Sequence, residues 1–279
     1  MRDATLFDLP VELPDLSAYD VVVVNSSAGK DSQAMLDYVA QLAADASVKK
    51  RVTVVHNDLG ETDNGLSVEW PGTADLARRQ ADHYGFPLVI TRREQGGLFQ
   101  QLRHERGKFP SSQARWCTSD QKTSQGMRVV TDLCRRWRAD RGLRPTEGRP
   151  VEVLYCLGIR AQESAARYAK PDVESGAAGS STRRRITRWL PIHTWTEAQV
   201  WDRIRASGVP HHPAYDEGMT RLSCSLCVLA SRADLVRACR LRPDLAREYA
   251  DLETELGHRF RGDLSMADLM AEAGVVGDA

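Results

Sequence analysis

Residues 21–32 have the sequence VVVVNSSAGKDS, in which an apolar run, residues 21–24, directly precedes a stretch of small and polar residues. Four consecutive valines are typical of a strand that is buried on both faces of a parallel sheet. Residues 31–44 follow with apolar side chains at helical spacing, so the pattern predicts a strand, a tight loop and a helix. In such a unit the loop amides and the helix N-terminus face an anion. Lys30 adds a positive charge, which favours the phosphates of a nucleotide.

The rest of the chain continues this alternation. Short apolar runs predict strands at residues 19–24, 51–56, 88–90 and 151–157, and helical spacing occupies residues 31–44 and 73–84. The order predicts an α/β fold, a parallel twisted sheet with helices on both faces.

Three segments depart from the alternation. Residues 171–185 are rich in Gly, Ser and Arg and predict a mobile loop, and residues 196–199 are a capping box that opens another helix. The last fifty or so residues predict helices with a buried stripe: Leu235, Val236, Cys239, Leu245, Tyr249, Leu252 and Leu256. We therefore expect an irregular arm at 1–17, the α/β domain at 18–210, and a helical extension packed on it at 211–279.

Composition narrows the class of protein. The 279 residues include 38 basic and 38 acidic side chains, and no apolar run reaches the length of a membrane span. The first residues lack the apolar core of a secretory signal, so we expect a cytoplasmic protein without a membrane partner. Six cysteines in such a chain favour metal or redox chemistry over disulfides.

The zero net charge conceals a segregation of charge along the chain. Residues 92–188 carry 21 basic and 10 acidic side chains, whereas residues 1–91 carry 7 and 14, and residues 189–279 carry 10 and 14. A basic middle between acidic ends suggests a surface that faces a polyanion. The alternative is a set of solvated, arginine-rich helices.

The loop at residues 27–32 resembles the SGGKDS signature of PP-loop ATP pyrophosphatases, with Ala28 in place of the first glycine. The resemblance implies the adenine nucleotide α-hydrolase-like fold, ATP with Mg²⁺, and cleavage between the α- and β-phosphates. The residues implied at the phosphates are Ser27, Ala28, Gly29, Lys30, Asp31 and Ser32, with Lys30 and Asp31 catalytic. By position, Asp58 and Gly60 are implied nucleotide or metal contacts; the alternative is a polar strand-to-loop junction.

Two further blocks resemble the phosphoadenosine phosphosulfate (PAPS) reductase-like branch of these enzymes. The first is Arg115-Trp116-Cys117 with Lys122, and the second is GIRAQESAAR at residues 158–167. The second block implies that Arg160 and Arg167 bind phosphates and that Glu163 orients one of them. Alternatively, Glu163 and Arg167 form only a surface ion pair between residues four apart.

Cys224 and Cys227 form a CxxC motif, which can hold a metal, a cluster or a redox dithiol. Together with Cys117 it resembles the cluster-binding cysteines of iron–sulfur members of the branch. This implies a [4Fe–4S] cluster with Cys239 as the fourth ligand; Cys134 and Cys156 are alternatives, although Cys156 lies in an apolar strand and is more typical of a core thiol. Zinc bound with His211 or His212, and a metal-free pair, stay open.

The whole set of motifs is similar to the ATP pyrophosphatase components of DNA phosphorothioation systems, the Dnd C-type and Ssp D-type proteins. That similarity implies activation of a DNA phosphate oxygen, sulfur from a cysteine desulfurase, Cys117 as a catalytic thiol, and other proteins of the system as partners. The basic residues implied to contact the DNA are Arg115, Lys122, Arg183, Arg184 and Arg185.

Three alternative functions remain. A sulfonucleotide reductase would carry its nucleophile in a C-terminal E-C-G-[IL]-H segment, and no cysteine follows Cys239. Thiolation of RNA or a small molecule is the second alternative. The third is a non-catalytic iron–sulfur or zinc module that binds DNA.

Overall fold

The structure, a computed structural model, describes residues 13–275. Most of the predicted N-terminal arm, residues 1–12, lies outside this range. In the described part, six strands form one sheet in the order β3-β2-β1-β4-β6-β5. The strands are β1 Val21–Ser26, β2 Val52–Asp58, β3 Leu88–Arg92, β4 Val151–Cys156, β5 Val173–Ser175 and β6 Arg184–Trp189.

Strand pairing is mostly parallel. β2 and β4 flank β1 in parallel register, and β6 is parallel to β4. The short β5 runs antiparallel, along β6. The predicted α/β sheet is confirmed, with an antiparallel edge strand that the sequence did not reveal.

Helices connect these strands and continue after them. The longer ones are α1 Lys30–Asp45, α2 Thr73–His83, α5 Ser124–Ala139, α7 Glu197–Ser207, α8 Arg232–Leu241, α9 Pro243–Leu256 and α10 Met266–Ala273. Single turns form α3 Leu98–Gln101, α4 Trp116–Thr118 and α6 Ala165–Tyr168. None of the helices described is both long enough and apolar enough to cross a lipid bilayer.

Alternate side chains of the central strands enter two separate cores. Val22 and Val24 pack with residues of α1 and α7, whereas Val21 and Val23 pack with residues of α5. Because neighbouring residues of a strand point to opposite faces, a run of four valines is buried only when helices cover both faces. The predicted covering of both faces is therefore confirmed.

The prediction of a mobile loop over residues 171–185 is wrong at both ends of that range. Residues 173–175 form β5, with Val173 beside Trp189, and β6 begins at Arg184. The side chain of Arg184 donates hydrogen bonds to the Gly179 carbonyl and to Thr131. Main-chain pairing with a neighbouring strand needs no hydrophobic period, so composition alone could not detect this strand.

The described chain divides into two compact units. The first contains residues 13–56, 77–89 and 127–211, and the second contains residues 57–76, 90–126 and 212–275. In the second unit the ring of Tyr249 lies 5.5 Å from that of Phe99, centroid to centroid. The predicted C-terminal stripe is buried in this core, apart from the partly buried Leu256. Residues 57–76 and 90–126 thus share a core with helices that come much later in the chain.

Candidate functional site

The loop after β1 turns sharply into α1. Ala28 is buried and adopts a φ of 55°, the left-handed region that glycine occupies freely. For a residue with a Cβ this conformation costs about 1–2 kcal/mol. The resemblance places a glycine here, so the turn that the signature requires is retained in this chain at a cost in strain.

Serine hydroxyls organise the same loop. The amide of Ala28 donates to Ser26 Oγ at 3.1 Å, and the amide of Ser27 donates to Ser32 Oγ at 3.1 Å. Gly29 is the N-cap of α1 and has no side chain that could cap it. The N-terminus of this 16-residue helix therefore lacks a side-chain cap, and its dipole favours an anion at the loop.

Lys30 is buried at the start of α1. Its side chain is 3% exposed, and its Nζ lies 3.4 Å from Oε1 of Glu197, at the first turn of α7. The Glu197 side chain is 53% exposed. The predicted phosphate-binding lysine thus has a carboxylate partner on a helix that sequence reasoning had not connected with the loop.

Arg160 is buried and contacts the phosphate loop directly. Its Nε donates to Asp31 Oδ1, and its Nη1 donates to Gln162 Oε1 at 3.0 Å. Gly158 permits this approach, because a Cβ there would lie 3.1 Å from the backbone of Asp31. The structure therefore joins two sequence motifs, the loop at 27–32 and the block at 158–167.

Glu163 faces the two arginines of its block. Its carboxylate accepts a hydrogen bond from the Arg160 amide at 3.2 Å and pairs with the Arg167 guanidinium. The ion pair between residues four apart is therefore present, and the orientation of a phosphate-binding arginine by Glu163 stays a prediction. The ring of His193, which the sequence did not single out, contacts the Arg167 carbonyl through Nε2 at 2.9 Å and the Asp172 carboxylate through Nδ1.

Asp58 and Gly60 lie in the second unit and contact each other. Asp58 accepts the Gly60 amide at 2.8 Å through Oδ1, and its Oδ2 pairs with Arg92 at 2.7 Å. These contacts match the alternative of a polar strand-to-loop junction. A role of Asp58 in holding nucleotide or metal stays a prediction.

Three cysteines meet in the second unit. Cys117, Cys224 and Cys227 line one cavity, whose wall also includes Phe109 and Tyr249. The thiol of Cys224 donates to the sulfur of Cys227, which lowers the pKa of Cys227 and raises that of Cys224. Burial raises the pKa of Cys117.

Lys122 acts on the same three sulfurs. Its positive charge favours the thiolate form of each and opposes the rise in the pKa of Cys117 and Cys224. The block that begins at the exposed Arg115 therefore supplies both the Cys117 thiol and the Lys122 ammonium group near the CxxC motif. This arrangement suits a site that handles sulfur as a thiolate.

The other predicted ligands are placed elsewhere. Cys239 is buried in α8, where burial raises its pKa to about 11, while Cys134 and Cys156 lie in the cores of the first unit. Both ring nitrogens of His212 have partners, Nδ1 with the Ala214 amide and Nε2 with the Pro71 carbonyl. Within residues 13–275, no three His, Cys, Asp or Glu side chains stand in an arrangement that could hold a metal ion. The cluster and the zinc alternative both stay predictions.

The predicted DNA-facing arginines differ in their surroundings. Arg183 is exposed and directly precedes β6, and Arg185 pairs with Glu152 at 2.8 Å. Arg184 holds the preceding loop through Gly179 and Thr131. At least two of the three therefore have local partners within the first unit.

Residues 21–230 match the family described as the phosphoadenosine phosphosulfate reductase domain. The chain belongs to this family. The match includes the phosphate loop, the block at 158–167 and all three cysteines of the cavity, so the predicted family is confirmed at this level.

Individual relatives in the reductase-domain family cover only parts of the chain. A 37.8 kDa protein of Escherichia phage 186 is 29% identical over 57% of this chain and 43% of its own length. An adenosine 5'-phosphosulfate reductase of Neisseria meningitidis is 25% identical over 48% of this chain and 50% of its own. The chain thus spans half or less of the length of these relatives. The solved phosphoadenylyl-sulfate reductase of Candida auris is 20% identical, with 77% of this chain and 83% of that one covered and a TM-score of 0.45.

Gly158→Ala tests the contact between the two motifs. The added methyl group would meet the backbone of Asp31 and Ser32, which cannot move aside as a side chain could. We expect a loss of about 1–3 kcal/mol in the free energy of unfolding, measured with urea. Gly262→Ala is the control: nothing lies within 4 Å of its added carbon, so a change within about 0.5 kcal/mol is expected. Equal losses in both variants would contradict the close approach.

Proposed function

We propose that this member of the reductase-domain family is an ATP pyrophosphatase, which adenylates an oxygen of its substrate and prepares it for replacement by sulfur. The observation that carries the proposal is the buried Lys30 at the first turn of α1, directly after the tight loop. A helix N-terminus and a fixed ammonium group together favour the dense negative charge of an oligophosphate. Pyrophosphate is the product that such a site stabilises best.

In the proposed reaction an acceptor oxygen attacks the α-phosphorus of ATP, and the bond from that phosphorus to the bridging oxygen of the β-phosphate breaks. Negative charge then develops on the departing pyrophosphate, where Lys30 and the loop amides offset it. Mg²⁺ is the ion expected to accompany the phosphates. Asp31 stays paired with Arg160, which holds the first turn of α1 in place.

The thiols of the second unit are the proposed sulfur-handling residues. Cys117, Cys224 and Cys227 share one cavity, and Lys122 favours their ionised form. A cysteine desulfurase would load one of these thiols as a persulfide, whose terminal sulfur would attack the adenylated phosphorus and displace AMP. A second thiol of the cavity would then cleave the S–S bond, which leaves the phosphorothioate on the acceptor and a cysteine disulfide that an external thiol reductant reopens. We propose DNA as the acceptor and other phosphorothioation proteins as partners, with the exposed Arg115 and Arg183 among the phosphate contacts.

A sulfonucleotide reductase is the second candidate. It is favoured by the family match and by the partial similarity to adenosine 5'-phosphosulfate reductase. Such an enzyme would use the same loop for the phosphates of a sulfonucleotide and would release sulfite. The two candidates therefore differ in product, since only the pyrophosphatase forms pyrophosphate from ATP.

Lys30→Ala should abolish the release of pyrophosphate. Removing the ammonium group takes away charge that stabilises the departing pyrophosphate, and we expect a fall of about 100-fold or more in rate. Pyrophosphate is measured in a coupled phosphate assay with ATP and DNA. Lys50→Ala, which removes an exposed lysine of the same unit, should retain the wild-type rate. An unchanged rate in Lys30→Ala would contradict the assignment of the phosphate loop.

Product analysis distinguishes the acceptors. The wild-type protein is incubated with ATP, a cysteine desulfurase, cysteine, a thiol reductant and either DNA or tRNA, and separately with a sulfonucleotide and a thiol reductant. We expect phosphorothioate linkages in the nuclease digest of the DNA and none in the tRNA. Sulfite from the sulfonucleotide, without pyrophosphate from ATP, would establish the second candidate instead.

Metal analysis of the anaerobically purified protein tests the predicted cluster. A [4Fe–4S] cluster would give about four iron and four sulfide per chain, and we expect this result. Cys224→Ser should lose the iron, whereas Cys134→Ala, a core cysteine of the other unit, should keep it. One zinc per chain, or no metal at all, would contradict the cluster. The thiols would then remain as sulfur carriers.

A further inference from the structure

A closed set of polar contacts surrounds the first turn of α1. Lys30 pairs with Glu197, and the amide of Glu197 donates to Gln162 Oε1 at 3.2 Å. Arg160 donates to the same Gln162 oxygen and to Asp31, the residue next to Lys30. Three segments that are distant in sequence therefore meet around the ammonium group of the phosphate loop.

We propose that the carboxylate of Glu197 and the phosphate compete for the ammonium group of Lys30. Glu197 then lowers the affinity of the loop for pyrophosphate and speeds the departure of this product. The inference rests on the proposed function, because it takes the loop as the pyrophosphate site. It assigns to Glu197 a task beyond opening helix α7.

Electrostatics favours competition over joint binding. Two anions bound to one ammonium group lie within about 6 Å of each other, a range in which like charges disfavour each other strongly. The Lys30 side chain is 3% exposed, so water screens this repulsion poorly. A phosphate that takes the ammonium group is therefore stabilised when the carboxylate leaves.

The local structure lets the carboxylate leave without moving the helix. The Glu197 amide is held by Gln162, and Thr196 caps α7 in a capping box with Gln199. Further along α7, Arg203 pairs with Asp37 of α1. The backbone at Glu197 is thus fixed, while its side chain is 53% exposed and can turn into solvent.

The position of Glu197 also limits the strength of the competition. An exposed carboxylate gains most of its hydration on leaving, so the pair with Lys30 opposes phosphate binding only moderately. Only the carboxylate of this pair is exposed to water, and ion pairs that water screens contribute up to about 1 kcal/mol, which corresponds to roughly a five-fold change in affinity. Such a carboxylate adjusts the release of pyrophosphate without preventing its binding.

Glu197→Gln tests the proposal, because it keeps the shape of the side chain and removes its charge. We expect inorganic pyrophosphate to bind roughly two- to five-fold more tightly to this variant in titration calorimetry, with a slower release in stopped-flow chase. Asp202→Asn is the matched control. It removes one carboxylate from the same helix, where Asp202 pairs with Arg205, and should leave the affinity unchanged.

The same titration with Lys30→Ala separates the inference from the proposed function. If Lys30→Ala binds pyrophosphate as tightly as the wild type, the phosphate-loop assignment itself fails. If Lys30→Ala weakens binding but Glu197→Gln leaves it unchanged or weakens it, the competition is overturned while the loop assignment stands. An equal gain in Asp202→Asn would also overturn it, since the effect would then be one of general charge.

A double variant adds a readout that a purely structural role would not move. In the Lys30→Ala background, Glu197→Gln should give a smaller gain in affinity than in the wild type, because the shared ammonium group is gone. An undiminished gain would show that Glu197 repels phosphate independently of Lys30 and would contradict the competition. Circular dichroism of each variant confirms that the exposed substitution leaves the fold intact.

Discussion

A buried ammonium group needs a nearby anion, and this requirement organises the first unit around Lys30. The half-exposed carboxylate of Glu197 on α7 supplies that anion, and a bound phosphate would supply it in its place. Arg160 meets the same requirement through Asp31. Since both cations lie at the first turn of α1, the interactions that stabilise the fold and those that would hold phosphate use the same atoms.

In the second unit, burial disfavours the ionised form of the cysteine thiols. Its three thiols lie in a cavity with an apolar wall, where burial alone would keep them protonated. The hydrogen bond from Cys224 to Cys227 and the charge of Lys122 oppose this effect. One sulfur of the CxxC motif is thereby made the most acidic of the three, as a nucleophile or a sulfur carrier requires.

Ion pairs in the folded chain neutralise part of the charge that the basic segment carries in the sequence. Several arginines of the basic segment pair with aspartates of the acidic first third: Arg92 with Asp58, Arg149 with Asp20, and Arg160 with Asp31. Part of the excess of 11 positive charges over residues 92–188 is therefore neutralised by ion pairs within the chain. The charge that a polyanion would meet is smaller than the linear sequence suggests.

The sequence by itself determined the features that depend on neighbouring residues. The valine run, the small residues of the loop and the apolar spacing of α1 are local, and they predicted the parallel sheet, helix α1 and the phosphate loop, whereas helix α5 was not predicted. The short strand β5 was not predicted, because it forms by pairing with β6 and its own residues show no hydrophobic period.

Only the tertiary structure decided which distant residues meet. Glu197 is an ordinary helix-opening residue in the sequence, and His193 stands in no motif, yet Glu197 contacts the phosphate loop and His193 contacts the block at 158–167. The grouping of residues 57–76 and 90–126 with the C-terminal helices was hidden for the same reason. Pairing between residues that are distant in the sequence follows from the geometry of the whole fold, and no local pattern of side chains encodes it.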